Sequence, residues 1–237
     1  MKIISLIIPS YNESENIVEL CNRLIKINKK YKYIEIIIVN NGSTDSTAYI
    51  LKKHPIYKTK NFKLVKIRKN IGYGNGIIKG IYQAKGEIIA WFHADLQTNP
   101  NDVVSCILKY KKKLLKNKTI IKGKRKSRSS FDNLFTYFMS KIVNIVFNVK
   151  LEDVNAQPKI FNKKFILQLK NPPKDFSLDL YFLLTAIKCN YKIDQFPIRW
   201  GNRFAGVAKG GGNLIGKFKL TYRTFKYIIK LKRNLKW

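Results

Sequence analysis

The chain has 237 residues, with 47 Lys and Arg against 14 Asp and Glu, a formal net charge of +33. Hydrophobic residues make up 45% and aromatics 13%, enough to bury a core and too many for a chain disordered throughout. The two histidines all but exclude a histidine-built metal site. Three cysteines at wide spacing (Cys21, Cys106, Cys189) form neither a disulfide framework nor a zinc knuckle, and read as reduced, mostly buried thiols of a reducing compartment. So basic a field attracts polyanions: nucleic acid, anionic lipid or phosphorylated small molecules. The excess of Lys, Ile and Asn is also what coding bias in an A/T-rich genome produces.

Met1 to Pro9 is apolar but short, has no cleavage site and runs straight into polar residues, so it reads as a strand and not a signal peptide. No window reaches the roughly 18 to 20 apolar residues of a spanning helix. A soluble or membrane-peripheral protein is expected. The elements then follow in order. Lys2–Ile8 is a continuous apolar run, as in a strand covered on both faces. Ile17, Leu20, Cys21, Leu24 and Ile27 have helical spacing within 14–29. Tyr33–Val39 is a second buried strand, 44–54 a helix after the Asn41-Gly42-Ser43 turn, and Phe62–Ile67 a third strand. A helix over 74–85 precedes a fourth strand, 87–93. This alternation builds a parallel sheet, and ligands of such sheets sit beyond the carboxyl ends of the strands. The second half predicts a helix at 101–116, a strand at 119–123, a basic loop at 124–130, an apolar helix at 131–148, a strand at 154–161, a short helix at 163–169, a helix at 177–189, a strand at 191–198, a glycine-rich loop at 199–212 and a basic amphipathic helix at 213–232.

Three polar loops fall on the expected ligand edge: Ser10-Tyr11-Asn12-Glu13, Asn40 to Asp45, and His93-Ala94-Asp95-Leu96-Gln97. A tyrosine face suits a planar base, and Glu13, Asn40 and Asn41 suit its edge, although Asn-Asn-Gly also serves as a plain turn. A carboxylate at a strand end, Asp95, can hold a divalent ion that neutralises a diphosphate, or can cap the helix that follows. Together, Ile7-Ile8-Pro9-Ser10-Tyr11-Asn12-Glu13, Ile38-Val39-Asn40-Asn41-Gly42-Ser43-Thr44-Asp45 and His93 to Gln97 resemble family 2 glycosyltransferases of the GT-A fold over about residues 1–210, and within them the polyprenyl-phosphate sugar transferases.

The resemblance implies an α/β, Rossmann-like GT-A domain (1–212) with a mostly parallel central sheet flanked by helices, and an appended amphipathic helix (213–237). It implies a nucleotide-sugar donor, a divalent metal (Mg²⁺ or Mn²⁺), inversion, and a polyprenyl-phosphate, lipid-linked or glycan acceptor of cell-envelope polysaccharide synthesis. Donor contacts are implied at Pro9, Tyr11, Glu13, Val39, Asn40, Asn41, His93, Ala94, Asp95 and Gln97, with Asp95, Gln97 and His93 toward the metal. His93 departs from the pattern, which has an acidic residue there and often one at Asn40. A nitrogen ligand at His93 shifts the preference from Mg²⁺ toward Mn²⁺. Arg125, in Lys122-Gly123-Lys124-Arg125, resembles the family's basic residue near the phosphates. Arg203 and Lys209 resemble a loop that closes over the diphosphate, with Ala208 where a hydroxyl is usual.

Asp179 matches the family's acidic acceptor-side residue, a general base for a hydroxyl acceptor and dispensable as a base for a phosphate one. Gln157 is an implied acceptor contact. Asn70 to Gly76 lacks a dinucleotide fingerprint and reads as packing glycines. Leu214, Phe218, Tyr222, Phe225 and Ile229 interleave with basic residues as in an interfacial helix, so an anionic membrane surface is an expected partner and the cytoplasmic face the expected location. The same stripe also suits a helix packed on the domain. No nucleic-acid-binding module is present, which argues against nucleic acid as partner. A degenerate, non-catalytic scaffold is the alternative raised by His93, Asn40 and Ala208.

Overall fold

The computed structural model of the chain describes residues 3–126, 130–201, 204–205 and 214–234, without side-chain detail at 130–135, 214–221 and 234. Arg203, Lys209, Ala208, Leu214 and Phe218 therefore lie outside the described residues or side chains. The first half alternates β1 (Ile4–Ser10), α1 (Ile17–Lys30), β2 (Ile34–Asn41), α2 (Thr47–Lys53), β3 (Phe62–Ile67), α3 (Tyr73–Ile81) and β4 (Ile88–Trp91). The second half runs α4 (Pro100–Lys116), β5 (Thr119–Lys126), α5 (Ser130–Phe147), β6 (Lys159–Asn162), α6 (Leu178–Lys188), β7 (Lys192–Arg199) and α7 (Leu214–Asn234).

These strands form one seven-stranded sheet in the order β3-β2-β1-β4-β6-β5-β7. Only β6 runs against its neighbours; the pairs β1–β2, β1–β4, β2–β3 and β5–β7 are parallel. Strand alternation splits the core in two. Ile4, Leu6, Ile8, Ile36 and Ile38 point to one face with α1 and α4, and Ile7, Ile37, Val39, Ile89 and Trp91 to the other with α3, α5, α6 and α7. Cys21 and Cys106 sit in the first cluster, where burial pushes both thiols up to about 12, so they are packing groups and not nucleophiles.

Two expectations change. The strand predicted at 154–161 is only Lys159–Asn162. Upstream, the chain turns at Asp153, whose φ is 44°, and the carbonyls of Val154 and Ala156 accept from Lys159 Nζ at 2.9 and 2.8 Å, which takes them out of any ladder. Conversely, the basic run expected to be loop from Lys124 continues β5 to Lys126, because β7 pairs alongside it as far as Lys126 with Arg199. α7 docks through Ile228 and Leu231, both buried, while Tyr222, Phe225 and Ile229 stay exposed.

Candidate active site

The loops after β1 and β2 are stitched together by the residues that make their motifs. Thr44 N–H donates to Asn12 Oδ1 (2.8 Å), Asn12 N–H to Ser43 Oγ (3.1 Å), Glu13 N–H to Thr47 Oγ1 (2.8 Å) and Ser14 N–H to Asp45 Oδ2 (3.2 Å). The backbone of Ala205 is tied to this corner through Asn16, whose Oδ1 accepts from Ala205 N–H at 3.0 Å. Beside the corner opens a cavity of about 410 Å³ lined by Pro9, Ser10, Tyr11, Glu13, Asn41, Asn70, Gly72, Tyr73, His93, Ala94, Asp95, Gln97, Arg125, Asn155, Phe176, Asp179 and Trp200. A volume in that range suits a small organic ligand at the carboxyl edge of a parallel sheet.

Ten of the residues singled out from sequence thus share one cavity: Pro9, Tyr11, Glu13, Asn41, His93, Ala94, Asp95, Gln97, Arg125 and Asp179. Val39 does not reach it, being buried in the core on the α3 side. Nor does Asn40, whose Oδ1 caps the turn by accepting from Ser43 N–H at 3.0 Å. Gln157 lies behind the wall, fully buried. Ser10, on the polar loop expected at this edge, lines it too. Sequence reasoning missed Asn70, Tyr73, Phe176 and Trp200 as lining groups; only the glycines around Tyr73 hinted at a close backbone approach. Gly72 has φ 132°, and a Cβ there would sit 2.2 Å from Lys174 O. That contact draws 173–175 against α3 and lays Phe176 on Tyr73 (ring centroids 4.8 Å, 11°), which in turn stacks on His93 (5.2 Å, 24°).

At the base of the cavity, Asp95 is buried and its Oδ1 accepts from Gln97 N–H at 3.2 Å. One terminus of the Gln97 amide lies 3.0 Å from Asp95 Oδ2, and the other 3.2 Å from Trp200 Nε1. With nitrogen toward Asp95 both contacts are hydrogen bonds. With oxygen toward Asp95, two oxygens 3.0 Å apart need a cation between them, and about 3 Å is the edge of an octahedron with bonds near 2.1 Å. One carboxylate and one amide oxygen leave the remaining positions to phosphate oxygens and water, the usual arrangement for Mg²⁺. Among the described residues no group of three or more His, Cys, Asp and Glu is gathered for a metal. The residues therefore fit a cation completed by its ligand better than a closed protein cage.

Two polar atoms on the cavity, Ser10 Oγ and Asn41 Oδ1, are buried without a hydrogen-bond partner. The Asn41 amide is held in place by its nitrogen, which donates to Gly72 O at 3.0 Å. On the other side Asp179 Oδ1 accepts from Lys159 Nζ (2.8 Å) and Gln157 Nε2 (3.0 Å), and Gln157 Nε2 also donates to the Tyr73 hydroxyl (2.9 Å). Arg125 is more committed than the sequence suggests. Its guanidinium grips Asp153, with Nε 3.0 Å from each carboxylate oxygen, and lies over the Trp200 ring at 5.0 Å. Burial alone would raise the Asp153 carboxyl, but the Arg125 hydrogen bonds and charge outweigh it and hold it below the usual carboxylate range. Arg125 also lines an adjoining cavity of about 520 Å³ with Lys124, Lys141, Lys150, Tyr137 and Glu152.

An α/β sheet with an acidic residue and an amide just beyond the end of a central strand presents them at the edge where ligands of such sheets bind. Residues 5–165 match Glycosyl transferase family 2, so the chain belongs to that family. It is 28% identical over 173 residues to the dodecaprenyl-phosphate galacturonate synthase of Rhizobium johnstonii, covering 70% of this chain and 50% of that protein. It is 34% identical over 101 residues to an undecaprenyl-phosphate 4-deoxy-4-formamido-L-arabinose transferase of Pseudomonas fluorescens, covering 42% and 30%. The chain therefore spans half or less of these relatives. The glucosyl-3-phosphoglycerate synthase of Mycobacterium tuberculosis, solved with Mn²⁺, UDP and glucosyl-3-phosphoglycerate, superposes with a TM-score of 0.73 at 13% identity, over 98% of this chain and 80% of that one. That likeness establishes the GT-A fold.

Proposed function

We propose that this chain transfers a sugar from a nucleotide diphosphate donor to the phosphate of a polyprenyl carrier, with inversion. The observation that carries the reading is the meeting, in one cavity, of the Asp95–Gln97 pair with the unmatched acceptors Ser10 Oγ and Asn41 Oδ1. The pair suits a diphosphate and its cation; the acceptors suit the N–H edge of a base stacked near Tyr11. Mg²⁺ or Mn²⁺ held by Asp95 and Gln97 would supply charge neutralisation of the departing diphosphate. The relatives named for polyprenyl-phosphate substrates, and the neighbour solved with UDP and Mn²⁺, support the same reading.

In this step an acceptor phosphate oxygen bonds to the anomeric carbon as the carbon–oxygen bond to the nucleoside diphosphate breaks. The electron pair leaves with the diphosphate. The acceptor is already ionised, so no general base is needed, in keeping with an Asp179 oxygen occupied by Lys159 and Gln157. The aromatic stack of His93, Tyr73 and Phe176 offers the sugar a face, and Asp179 accepts its hydroxyls. The basic side chains of the adjoining cavity give an anionic phosphate its approach.

The test is thermal stability against UDP-, GDP- and dTDP-sugars with and without Mg²⁺ or Mn²⁺. Donor at about 100 times its Kd stabilises by roughly 2.7 kcal/mol. A shift that requires one nucleotide and a metal together is expected; no shift with any pair sinks the reading. A non-catalytic scaffold, motivated by His93 and the sparse acidic set, predicts the shift without transfer.

We also place the acceptor's membrane on α5 and α7, which pack together. Tyr137, Phe138 and Ile145 of α5, and Tyr222, Phe225 and Ile229 of α7, are exposed beside Lys141 and Lys226. Among the described residues no helix is long and apolar enough to cross a membrane, so the contact is interfacial, at the cytoplasmic face where nucleotide sugars are made. Phe225→Asp with Ile229→Asp is expected to lower partition onto anionic vesicles at least about tenfold, since part of the burial of two large apolar side chains is lost. Unchanged sedimentation with vesicles would remove α7 from the interface.

A further inference from the structure

Lys159 carries a full charge into the interior and has no part in the reaction just described. Its side chain is 0% exposed and Asp179 is 2% exposed. The ammonium donates to Asp179 Oδ1 and to the carbonyls of Val154 and Ala156, at 2.8, 2.9 and 2.8 Å, so every proton it has is directed. Such a pair is seldom favourable against apolar residues of the same shape, because desolving two ions offsets their attraction. Stability therefore does not explain it, whereas its position does: Asp179 is the only one of the two that lines the cavity, beside Phe176 and Tyr73. Gln157 completes the clamp from below.

We infer that Lys159 is a positioning residue, a buried counter-charge that holds the Asp179 carboxylate turned to the sugar end of the cavity. The role rests on the transferase reading; the pair itself does not. Other charged and titratable groups face the pair. Lys122 and Arg125 come from β5, Asp153 from the loop before β6 and Tyr73 from α3, while Glu152 acts on Lys122 and Asp95 on Tyr73. Burial, then Lys159 itself, push Lys122 down to about 7, so it titrates in the same window in the wild type too. Burial likewise draws the Lys159 ammonium below its usual range, against the pull of Asp179.

The single variants must then respond to pH in opposite senses. In Lys159→Met the buried carboxylate is left alone and favours its protonated form. A group whose proton affinity rises on folding stabilises at low pH and loses that as pH rises, so this variant falls further below wild type at pH 8 than at pH 5. In Asp179→Asn the buried ammonium is left alone and favours its neutral form. A group whose proton affinity drops on folding costs most at low pH, so this variant falls furthest below wild type at pH 5. Lys159→Met with Asp179→Asn should be nearly flat and regain much of the lost stability.

The experiment measures melting temperature from pH 5 to 9 for the four chains, with transfer over the same range. Expected are opposite slopes, and transfer by Lys159→Met recovering at least about tenfold relative to wild type as pH rises, as Asp179 ionises again, while Asp179→Asn does not recover. Parallel slopes in the two single variants overturn the pair. Opposite slopes with a pH-independent loss of transfer reduce Lys159 to a structural residue. Should Lys159→Met not fold, the acid-side loss of Asp179→Asn and its rescue in the double variant carry the test. A wild type that turns over no donor fails the transferase reading, and the slopes still decide the pair.

Discussion

Asp95→Ala is expected to cut transfer at least about 1,000-fold, as loss of the charge that organises a departing diphosphate does elsewhere. Asp95 supplies a carboxylate beside the Gln97 amide, one terminus of which lies 3.0 Å from Oδ2, a spacing that a shared cation would bridge with the amide oxygen turned toward it. The variant should also lose every metal-dependent part of the thermal shift given by the donor. Its unliganded stability should hold within about 1 kcal/mol, since hydrogen bonds such as that from Gln97 N–H to Oδ1 contribute only modestly net of water. The two readouts separate the explanations. Near-normal turnover, or a metal-dependent shift that survives, would move the cation away from Asp95. A large fall in unliganded melting temperature would mean that Asp95 is instead a structural cap, the alternative that its place before α4 allows. Asp95→Asn refines the test: it keeps an oxygen for Gln97 N–H but removes the charge, and should match Asp95→Ala in transfer.

The edge of the sheet where the site lies was legible because strand period and loop chemistry agree there. Ile4 to Ile8 and Ile34 to Val39 are almost wholly apolar on both faces, broken only by the paired Ser5 and Glu35, as in a covered parallel strand, and the polar loops begin where those runs stop. That located Tyr11, Glu13, Asn41 and Asp95. It could not tell Asn41 from Asn40. Neighbours in a strand point opposite ways, and only the close packing of 69–72 on Gly42 and Asn41 shows which amide reaches the cavity. Phe176 and Trp200 were illegible for another reason: each arrives from a segment distant in sequence, set by the Gly72 contact in one case and by the β5–β7 pairing in the other. The interior charge of Lys159 was hidden by composition. In a chain with 47 basic residues, nothing marks the one that folds inward.

Gly123→Ala should damage both folding and transfer. A Cβ built at Gly123 falls 2.0 Å from Gln157 O, 2.6 Å from Gln157 C and 3.2 Å from Pro158 N, all backbone atoms that cannot swing aside. The register there is tight, since Gly123 N–H donates to Pro158 O at 2.9 Å and Lys122 pairs with Lys159 one step before. To admit the methyl group, β5 and 157–158 must part by more than an ångström, which strains a ladder only a few residues long. Overpacking against backbone costs about 3 kcal/mol or more, or roughly 6 to 12 °C in a domain of this size. The displaced segment carries Gln157, whose amide holds both Asp179 and Tyr73, and lies next to Lys159. Transfer should therefore fall further than the loss of folded protein explains, with kcat affected more than the donor KM, because Asp95, in the loop after β4, and Asn41, at the end of β2, stand elsewhere in the sheet. Gly201→Ala is the control. Its Cβ would meet nothing nearer than Gln97 O at 3.9 Å, an ordinary contact, and its stability should stay within about 0.5 kcal/mol of wild type. Equal melting temperatures for the two variants would show that the β5–β6 junction yields, and that Asp179 is not held from behind through Gln157.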